Sequence, residues 1–258
     1  MLGGRSPSLV ARSALEPEQY RALLRMRRTY PDPLAFARRY FLGAGPYPHE
    51  QAVRTPLGEV RPLLPGPHDA VTLHEIFARE DYRAGHGLGA VVDLGSNIGL
   101  SALYFLTRGP RSRVWCYEPV PRNVAALRRN LAGLEDRWTV REAAVADRSG
   151  TLEFGVEPTG RYGGLGMDLP ETIRVETLEI GDVLEDVLRE AGTIDMLKLD
   201  TEGAEVASLR AIQPEHLRRI RTIVLETDQR VNPDPAQFRM HHACMTTRLD
   251  RRVPLGSG

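Results

Sequence analysis

Three acidic turns carry the residue types that could do chemistry in this sequence. The first is Asp93-Leu-Gly95-Ser96-Asn97-Ile-Gly99, the second begins at Glu118-Pro119, and the third is Lys198-Leu-Asp200-Thr-Glu202-Gly-Ala-Glu205. Glycines allow the backbone to come close to a ligand, and the start of a following helix offers N–H groups. Carboxylates accept hydrogen bonds from hydroxyls and stabilise cations. The turns therefore predict a site for a small ligand that has both hydroxyl and cationic groups.

The elements around these turns alternate between strand and helix. Apolar runs predict strands at 90–94, 113–118, 138–145, 151–156, 172–180, 194–200 and 220–226. Helices are predicted at 98–107, 119–131, 181–191 and 204–212. This alternation predicts an α/β fold with a mainly parallel sheet and helices on both faces. In such a sheet, ligands bind beyond the carboxyl ends of the strands, where the three turns lie.

Residues before and after this core are less regular. Amphipathic helices are predicted at 15–29 and 33–42, a Pro/Gly-rich stretch runs from 43 to 67, and another helix begins at Thr72. We therefore divide the chain into an N-terminal helical extension, 1–71, which could serve as a substrate lid, and a main domain, 72–258. Near the C terminus we predict a helix at 235–243 and a strand at 245–253. That reading leaves the closing antiparallel strands of the sheet abbreviated or irregular.

The charge balance indicates which partners to expect. The chain has 34 basic and 34 acidic residues and a formal net charge of zero, so we expect neither nucleic acid nor an anionic membrane surface as a partner. The first 25 residues carry charges without an apolar run, which argues against a signal peptide or a membrane helix and favours the cytoplasm. We expect a small-molecule acceptor as the partner, and a homo-oligomer remains an option.

The composition of the first turn separates two classes of ligand. Its pattern, D-x-G-x-N-x-G, places Asp93 where the pyrophosphate of a dinucleotide would lie, which is electrostatically unfavourable. S-adenosylmethionine has no phosphate but has an ammonium, a sulfonium and a carboxylate. Glu118 follows Asp93 by 25 residues, a spacing at which an acidic side chain accepts ribose hydroxyls. S-adenosylmethionine is therefore the predicted cofactor, and an NAD-linked oxidoreductase is an alternative that lacks an evident Tyr-x-x-x-Lys pair.

Three segments together resemble the FkbM family of methyltransferases: Val91–Gly99, Tyr117–Asn123 and Met196–Glu205. The resemblance covers about residues 72–228 and implies a Rossmann-like class I methyltransferase fold. It also implies transfer of a methyl group from S-adenosylmethionine, commonly to a hydroxyl of a natural product or sugar. The predicted cofactor-binding residues are Asp93, Gly95, Ser96, Asn97, Gly99, Glu118, Pro119, Asn123, Ala144, Val145 and Asp200, with Ala144 and Val145 near the adenine.

The third turn supplies the predicted catalytic residues Asp200, Lys198, Glu202 and Glu205. Lys198 is the only lysine in the chain; it could be a base if burial lowers its pKa, or it could form a buried ion pair with Asp200. A magnesium ion held by Asp200 and Asp228 is conceivable but not favoured. His241 or His242 is a further candidate for the proton acceptor, although adjacent histidines on a surface helix are expected to be solvated. The loop 161–167 could gate the acceptor pocket. A catalytically inactive adenosyl-binding partner protein is a further alternative.

Overall fold

A computed structural model describes residues 17–156, 163–165, 171–201, 203–243, 245–253 and 255. The chain forms two compact units, Met1–Gly85 and His86–Gly258. The division lies 14 residues after the expected boundary, because the last helix of the first unit begins before Thr72 and a helical turn continues it to Arg79. Among the described residues, no helix combines the length and apolar character needed to cross a membrane.

From Pro17 onward, where its description begins, the first unit contains three α-helices and four short strands. They are α1 (Pro17–Thr29), α2 (Pro33–Leu42), β1 (His49–Glu50), β2 (Val53–Thr55), β3 (Gly58–Val60), β4 (Leu63–Leu64) and α3 (Pro67–His74), followed by a π-helical turn (Glu75–Arg79). The helix predicted at 33–42 is confirmed, and the helix predicted at 15–29 is confirmed from Pro17 to Thr29, since residues 15 and 16 lie outside the described residues. The predicted helix start at Thr72 is wrong, because the Asp69 carboxylate accepts the N–H of Gly66 at 2.7 Å and caps the helix one turn and a half earlier.

The second unit contains eleven strands and five helices among the described residues. The strands are β5 (Ala90–Leu94), β6 (Arg113–Tyr117), β7 (Trp138–Arg141), β8 (Ala144–Ala146), β9 (Gly150–Val156), β10 (Gly163–Leu165), β11 (Glu171–Glu179), β12 (Ile194–Leu199), β13 (Ile220–Glu226), β14 (Phe238–Ala243) and β15 (Thr246–Arg251). The helices are α4 (Leu100–Leu106), α5 (Pro121–Asn130), α6 (Ile180–Ala191), α7 (Glu205–Ala211) and α8 (Pro214–Leu217).

Seven of these strands form the main sheet, in the order β14-β15-β13-β12-β5-β6-β7. The five strands from β13 to β7 are parallel, and β15 and β14 are antiparallel to their neighbours. Apolar side chains from β5, β12, β13 and α6 pack together in the largest described core cluster, with Val92, Leu197 and Leu225 fully buried. The predicted Rossmann-like α/β architecture is confirmed.

A smaller sheet in the order β10-β9-β11-β8 corrects the prediction of one strand over 138–145. The chain leaves the main sheet after Arg141, and β8 pairs in parallel with β11 instead of continuing along β6. All three residues of β8 are buried, whereas β7 alternates between half-buried and exposed residues. The apolar run therefore contained two strands with different surroundings.

The C-terminal hairpin is the largest error of the sequence-based fold. Residues expected to be helical form β14, which pairs with β15 from Phe238↔Arg251 to Ala243↔Thr246. The Asp234 carboxylate accepts the N–H groups of Ala236 and Gln237 at 3.0 Å each, so the Asp-Pro sequence caps a single turn and not a helix. The closing strands of the sheet are therefore complete, and His241-His242 lies on a strand.

Candidate functional site

The sheet order brings the three predicted turns together at one edge. Because β5 lies between β6 and β12, the carboxyl ends of all three strands are neighbours. The N–H groups of Gly95 and Ser96 donate to the carbonyl of Tyr117 at 3.0 and 3.1 Å, and the N–H of Asp200 donates to the carbonyl of Leu94 at 3.1 Å. Backbone hydrogen bonds thus join the three turns into one structure.

Gly95 is required where the first turn crosses the third. Its φ is +76°, and a Cβ atom built there would lie 1.7 Å from the carbonyl oxygen of Asp200. No side chain fits at that distance, and a positive φ already disfavours other residues. The glycine therefore allows two turns, separated by about a hundred residues in the chain, to lie in backbone contact.

The N–H groups of the glycine turn are used inside the protein, which corrects the expectation that they are available to a ligand carboxylate. Besides the two bonds to Tyr117, the N–H of Asn97 donates to Glu118 Oε2 at 2.9 Å, and that of Ile98 to Asn97 Oδ1 at 2.7 Å. The N–H of Gly99 donates to the carbonyl of Ser96 at 2.8 Å. Asn97 adopts φ +47°, and its side chain closes the turn on itself. The turn is preorganised by its own bonds.

Glu118 is the buried acid at the end of β6. Its Oε1 accepts the N–H of Val120 at 3.0 Å and Nδ2 of Asn123 at 3.1 Å, and the side chain lies beside the buried Pro119. Burial raises the pKa of Glu118 to about 7, although these donors, Asn97 and the Lys198 charge oppose the increase. Asn123 and two backbone N–H groups therefore hold the carboxylate in place.

Lys198 joins the ends of β5 and β12. Its Nζ lies 3.1 Å from Asp93 Oδ1 and 3.2 Å from Asp200 Oδ2, and it donates to the carbonyls of Gly95 at 2.9 Å and Leu94 at 3.3 Å. Burial alone would lower its pKa, but Asp200 and Asp93 outweigh burial and raise the pKa above the ordinary value. The predicted ion pair is confirmed. The alternative of Lys198 as a base with a lowered pKa is wrong.

Asp93 lies beneath the glycine turn. Its side chain is 0% exposed, its Oδ2 accepts the hydroxyl of Ser101 at 2.6 Å, and its carbonyl accepts the hydroxyl of Ser96 at 2.8 Å. A carboxylate so enclosed supports the turn from its buried side, and its contact with the ligand stays a prediction. Ser101 was missed, although a serine inside the apolar helix segment Leu-Ser-Ala-Leu-Tyr-Phe-Leu is a signal that could have identified it.

The remaining predicted residues of the third turn have different surroundings. Glu205 is buried, and its carboxylate accepts the N–H groups of Thr201 at 2.8 Å and Gly203 at 3.0 Å. These bonds shape the loop before α7, and a catalytic role for Glu205 stays a prediction. Glu202 lies outside the described residues. Asp200 is the described acidic residue of the third turn that faces outward, with 24% of its side chain exposed.

The other residues predicted to have a function lie outside the three turns. Asp228 is exposed beyond β13, and the described part of the chain contains no group of three side chains suited to bind a metal. Ala144 packs with Val120 in a small apolar cluster, and Val145 belongs to the main core. His242 Nδ1 lies 2.7 Å from the hydroxyl of Thr247. Apart from strand β10, the predicted gating loop 161–167 is outside the described residues.

The strand order together with the three turns defines a methyltransferase fold of class I. The model of the methyltransferase FkbM domain matches residues 93–249. The chain belongs to the FkbM family of methyltransferases.

Several characterised or solved proteins are similar to the chain. Methyltransferase sdnD of Sordaria araneosa is 30% identical over 53% of this chain and 65% of its own length. The 2-O-methyltransferase NoeI of Sinorhizobium fredii is 32% identical over 45% of this chain, and the match spans only 54% of NoeI. The 31-O-demethyl-FK506 methyltransferase FkbM of Streptomyces tacrolimicus is 28% identical over 59% and 72% of the two chains. The crystal structure of methyltransferase FkbM from Methylobacillus flagellatus has a TM-score of 0.47 at 15% identity, covering 90% of this chain and 58% of that one.

Proposed function

We propose that this protein transfers a methyl group from S-adenosylmethionine to a hydroxyl of a small molecule, either a natural product or a compound that contains a sugar. Family membership supports methyl transfer, and the names of two relatives, a 2-O-methyltransferase and a 31-O-demethyl-FK506 methyltransferase, support oxygen as the acceptor atom. The observation that carries the proposal is the cluster of carboxylates at the ends of β5, β6 and β12.

The charge of this cluster suits S-adenosylmethionine. Asp93 and Asp200 both lie beside one ammonium, that of Lys198, so these three side chains together carry a formal charge of minus one. A cationic ligand is stabilised beside such a group, whereas a pyrophosphate is repelled. Asp93 alone does not exclude NAD, since Asp93 is buried and paired with Lys198. The pyrophosphate of NAD is disfavoured by the combined charge of Asp93, Asp200 and Lys198.

We assign the two ends of the cofactor to two carboxylates. Glu118, at the end of β6, accepts the ribose hydroxyls, and Asn97 and Asn123 hold it in position for this. Asp200, the exposed member at the end of β12, accepts the ammonium of the amino-acid end. The bound cofactor supplies an activated methyl group on a sulfonium.

The chain must then align the acceptor and take up a proton. Methyl transfer forms a carbon–oxygen bond and breaks the carbon–sulfur bond, so the acceptor hydroxyl must lie in line with the methyl and lose its proton. Lys198 is already protonated and Glu205 is engaged by the loop that it shapes. With Asp200 assigned to the ammonium, Glu202 is the remaining candidate of the third turn for the proton acceptor.

Calorimetric titration with S-adenosylmethionine, S-adenosylhomocysteine and NAD tests the cofactor assignment. We expect both adenosyl ligands to bind, NAD not to bind, and Glu118→Gln to weaken adenosyl binding by about tenfold or more. The matched control is Glu190→Gln, a partly exposed carboxylate on α6 that pairs with Arg113 at the start of β6. Binding of NAD alone would refute the proposal.

A second assay tests methyl transfer itself. The protein is incubated with S-adenosylmethionine labelled in the methyl group and a panel of hydroxylated small molecules and sugars, and label in the acceptor is measured. Methylation at oxygen supports the proposal, and methylation at nitrogen corrects the acceptor atom. Adenosyl binding with no transfer to any acceptor of the panel would favour an inactive adenosyl-binding partner protein.

A further inference from the structure

The single lysine of the chain lies at the centre of the site but does not reach its surface. The Lys198 side chain is 2% exposed, whereas 24% of the Asp200 side chain is exposed. Resting on the function proposed above, we propose that Lys198 is a positioning residue that acts through Asp200 and determines how the amino-acid end of the cofactor is recognised. The adenosine end is recognised separately, through Glu118.

The bonds of Lys198 fix the relative position of two strand ends. Its ammonium has three protons, and its described oxygen neighbours include atoms of Asp93, Leu94, Gly95 and Asp200. Three of these neighbours belong to β5 and the turn that follows it, and the fourth follows β12. The ammonium therefore links the Asp200 carboxylate to the glycine turn, and we expect its removal to change the position of that carboxylate.

A lysine suits this position better than an arginine. Of the 34 basic residues, only Lys198 is a lysine, so a chain that uses arginine elsewhere has a compact ammonium at this one place. A guanidinium is planar and larger, and it does not fit between a backbone oxygen at 2.9 Å and two carboxylates in a buried space. We therefore expect Lys198→Arg not to restore the function of the site.

Two ligands allow recognition of the amino-acid end to be measured separately from recognition of the adenosine end. S-adenosylhomocysteine has the amino-acid end, and 5′-methylthioadenosine lacks it. For Lys198→Met we expect binding of S-adenosylhomocysteine to weaken about 10- to 100-fold, and binding of 5′-methylthioadenosine to change by less than about threefold. Since Lys198→Met leaves Asp93 buried without its counter-ion, the double variant Lys198→Met/Asp93→Asn is measured as well.

Leu197→Ala is the matched control for a general loss of stability. Leu197 is the neighbour of Lys198 on β12 but is fully buried in the apolar core on the other face of the strand. We expect Leu197→Ala to lower stability and to leave the ratio of the two ligand affinities unchanged. Equal losses for both ligands in the folded Lys198 variants would overturn the positioning role. Wild-type protein that binds neither ligand would overturn the proposed function itself, and with it this inference.

A measurement on the unaltered protein gives a second test. Lysine labelled with ¹³C at Cε gives one side-chain signal from this chain, because Lys198 is the only lysine. We expect S-adenosylhomocysteine to shift this signal clearly more than 5′-methylthioadenosine does, because only the former places an ammonium beside Asp200. Equal shifts with the two ligands at saturation would contradict the proposal.

Discussion

Protonation of Glu118 is expected to make the stability of the protein depend on pH in a way that one substitution removes. Burial raises the pKa of this carboxyl from its ordinary value of 4.5 to about 7 in the folded state. The folded protein therefore binds this proton more tightly than the unfolded chain does. The stabilisation is fully present below pH 4.5 and is lost as the pH rises through 7.

The size of the effect follows from the two pKa values. They differ by about 2.5, and each unit is worth about 1.4 kcal/mol, so the free energy of unfolding should fall by about 3 kcal/mol between pH 4.5 and pH 8. The side chain of Glu118 is enclosed, since the residue is 5% exposed, so solvent screening reduces this figure little. Other groups also titrate in this range, and the substitution is needed to separate them.

Urea unfolding of the wild type and of Glu118→Gln at half-unit steps of pH measures the effect. Glutamine does not titrate. Any change in the hydrogen bonds that residue 118 accepts from Asn97, Val120 and Asn123 alters the stability of the variant by an amount that does not depend on pH. The difference between the two proteins should therefore change by about 3 kcal/mol across the range, with its midpoint between pH 4.5 and 7. Parallel curves would refute the reasoning and would mean that the three N–H donors keep the carboxylate ionised in spite of its burial.

Three other perturbations test the geometry of the site. Gly95→Ala should lower the free energy of unfolding, measured in urea, by more than about 2 kcal/mol and should abolish adenosyl binding. The control is Gly192→Ala, because Gly192 has a similar φ of +77° but open space where the new methyl group would lie. We expect this control to lower the free energy of unfolding by only about 1–2 kcal/mol. Glu205→Gln should lower stability by about 1–2 kcal/mol and speed hydrogen exchange at Gly203; unchanged exchange would contradict the role assigned to its carboxylate. The ¹³C signal of Lys198 should not titrate below pH 10.5, because its pKa is raised; a midpoint below that value would contradict the ion pairs.

The sequence predicted the elements whose pattern is local. The apolar runs of β5, β6, β12 and β13 and the glycine turn between Asp93 and Gly99 were recognised because buried parallel strands are continuous apolar segments. The position of the site followed from those strands, since the carboxyl ends of neighbouring parallel strands meet. Strand type, turn type and the edge of the sheet were therefore accessible without coordinates.

The roles of individual side chains were not accessible, because they depend on contacts between distant segments. Nothing near Lys198 in the sequence shows that Asp93, a hundred residues earlier, lies 3.1 Å from its ammonium and raises its pKa. Asp93 itself resembled a ligand-binding acid, because its burial is produced by the turn above it and by Ser101. In the same way, the segment 235–243 is predicted as a helix, and only pairing with β15 shows that residues 238–243 form a strand.

The position of β15 has a consequence for the order in which the protein is assembled. This strand is inserted between β13 and β14, yet it is the last of the three to be synthesised. Until residues 246–251 leave the ribosome, the outer edge of β13 has no partner strand from its own chain, and its apolar residues offer unpaired backbone groups to other molecules. The newly made protein therefore passes through an interval in which the outer edge of β13 can pair with the wrong strand.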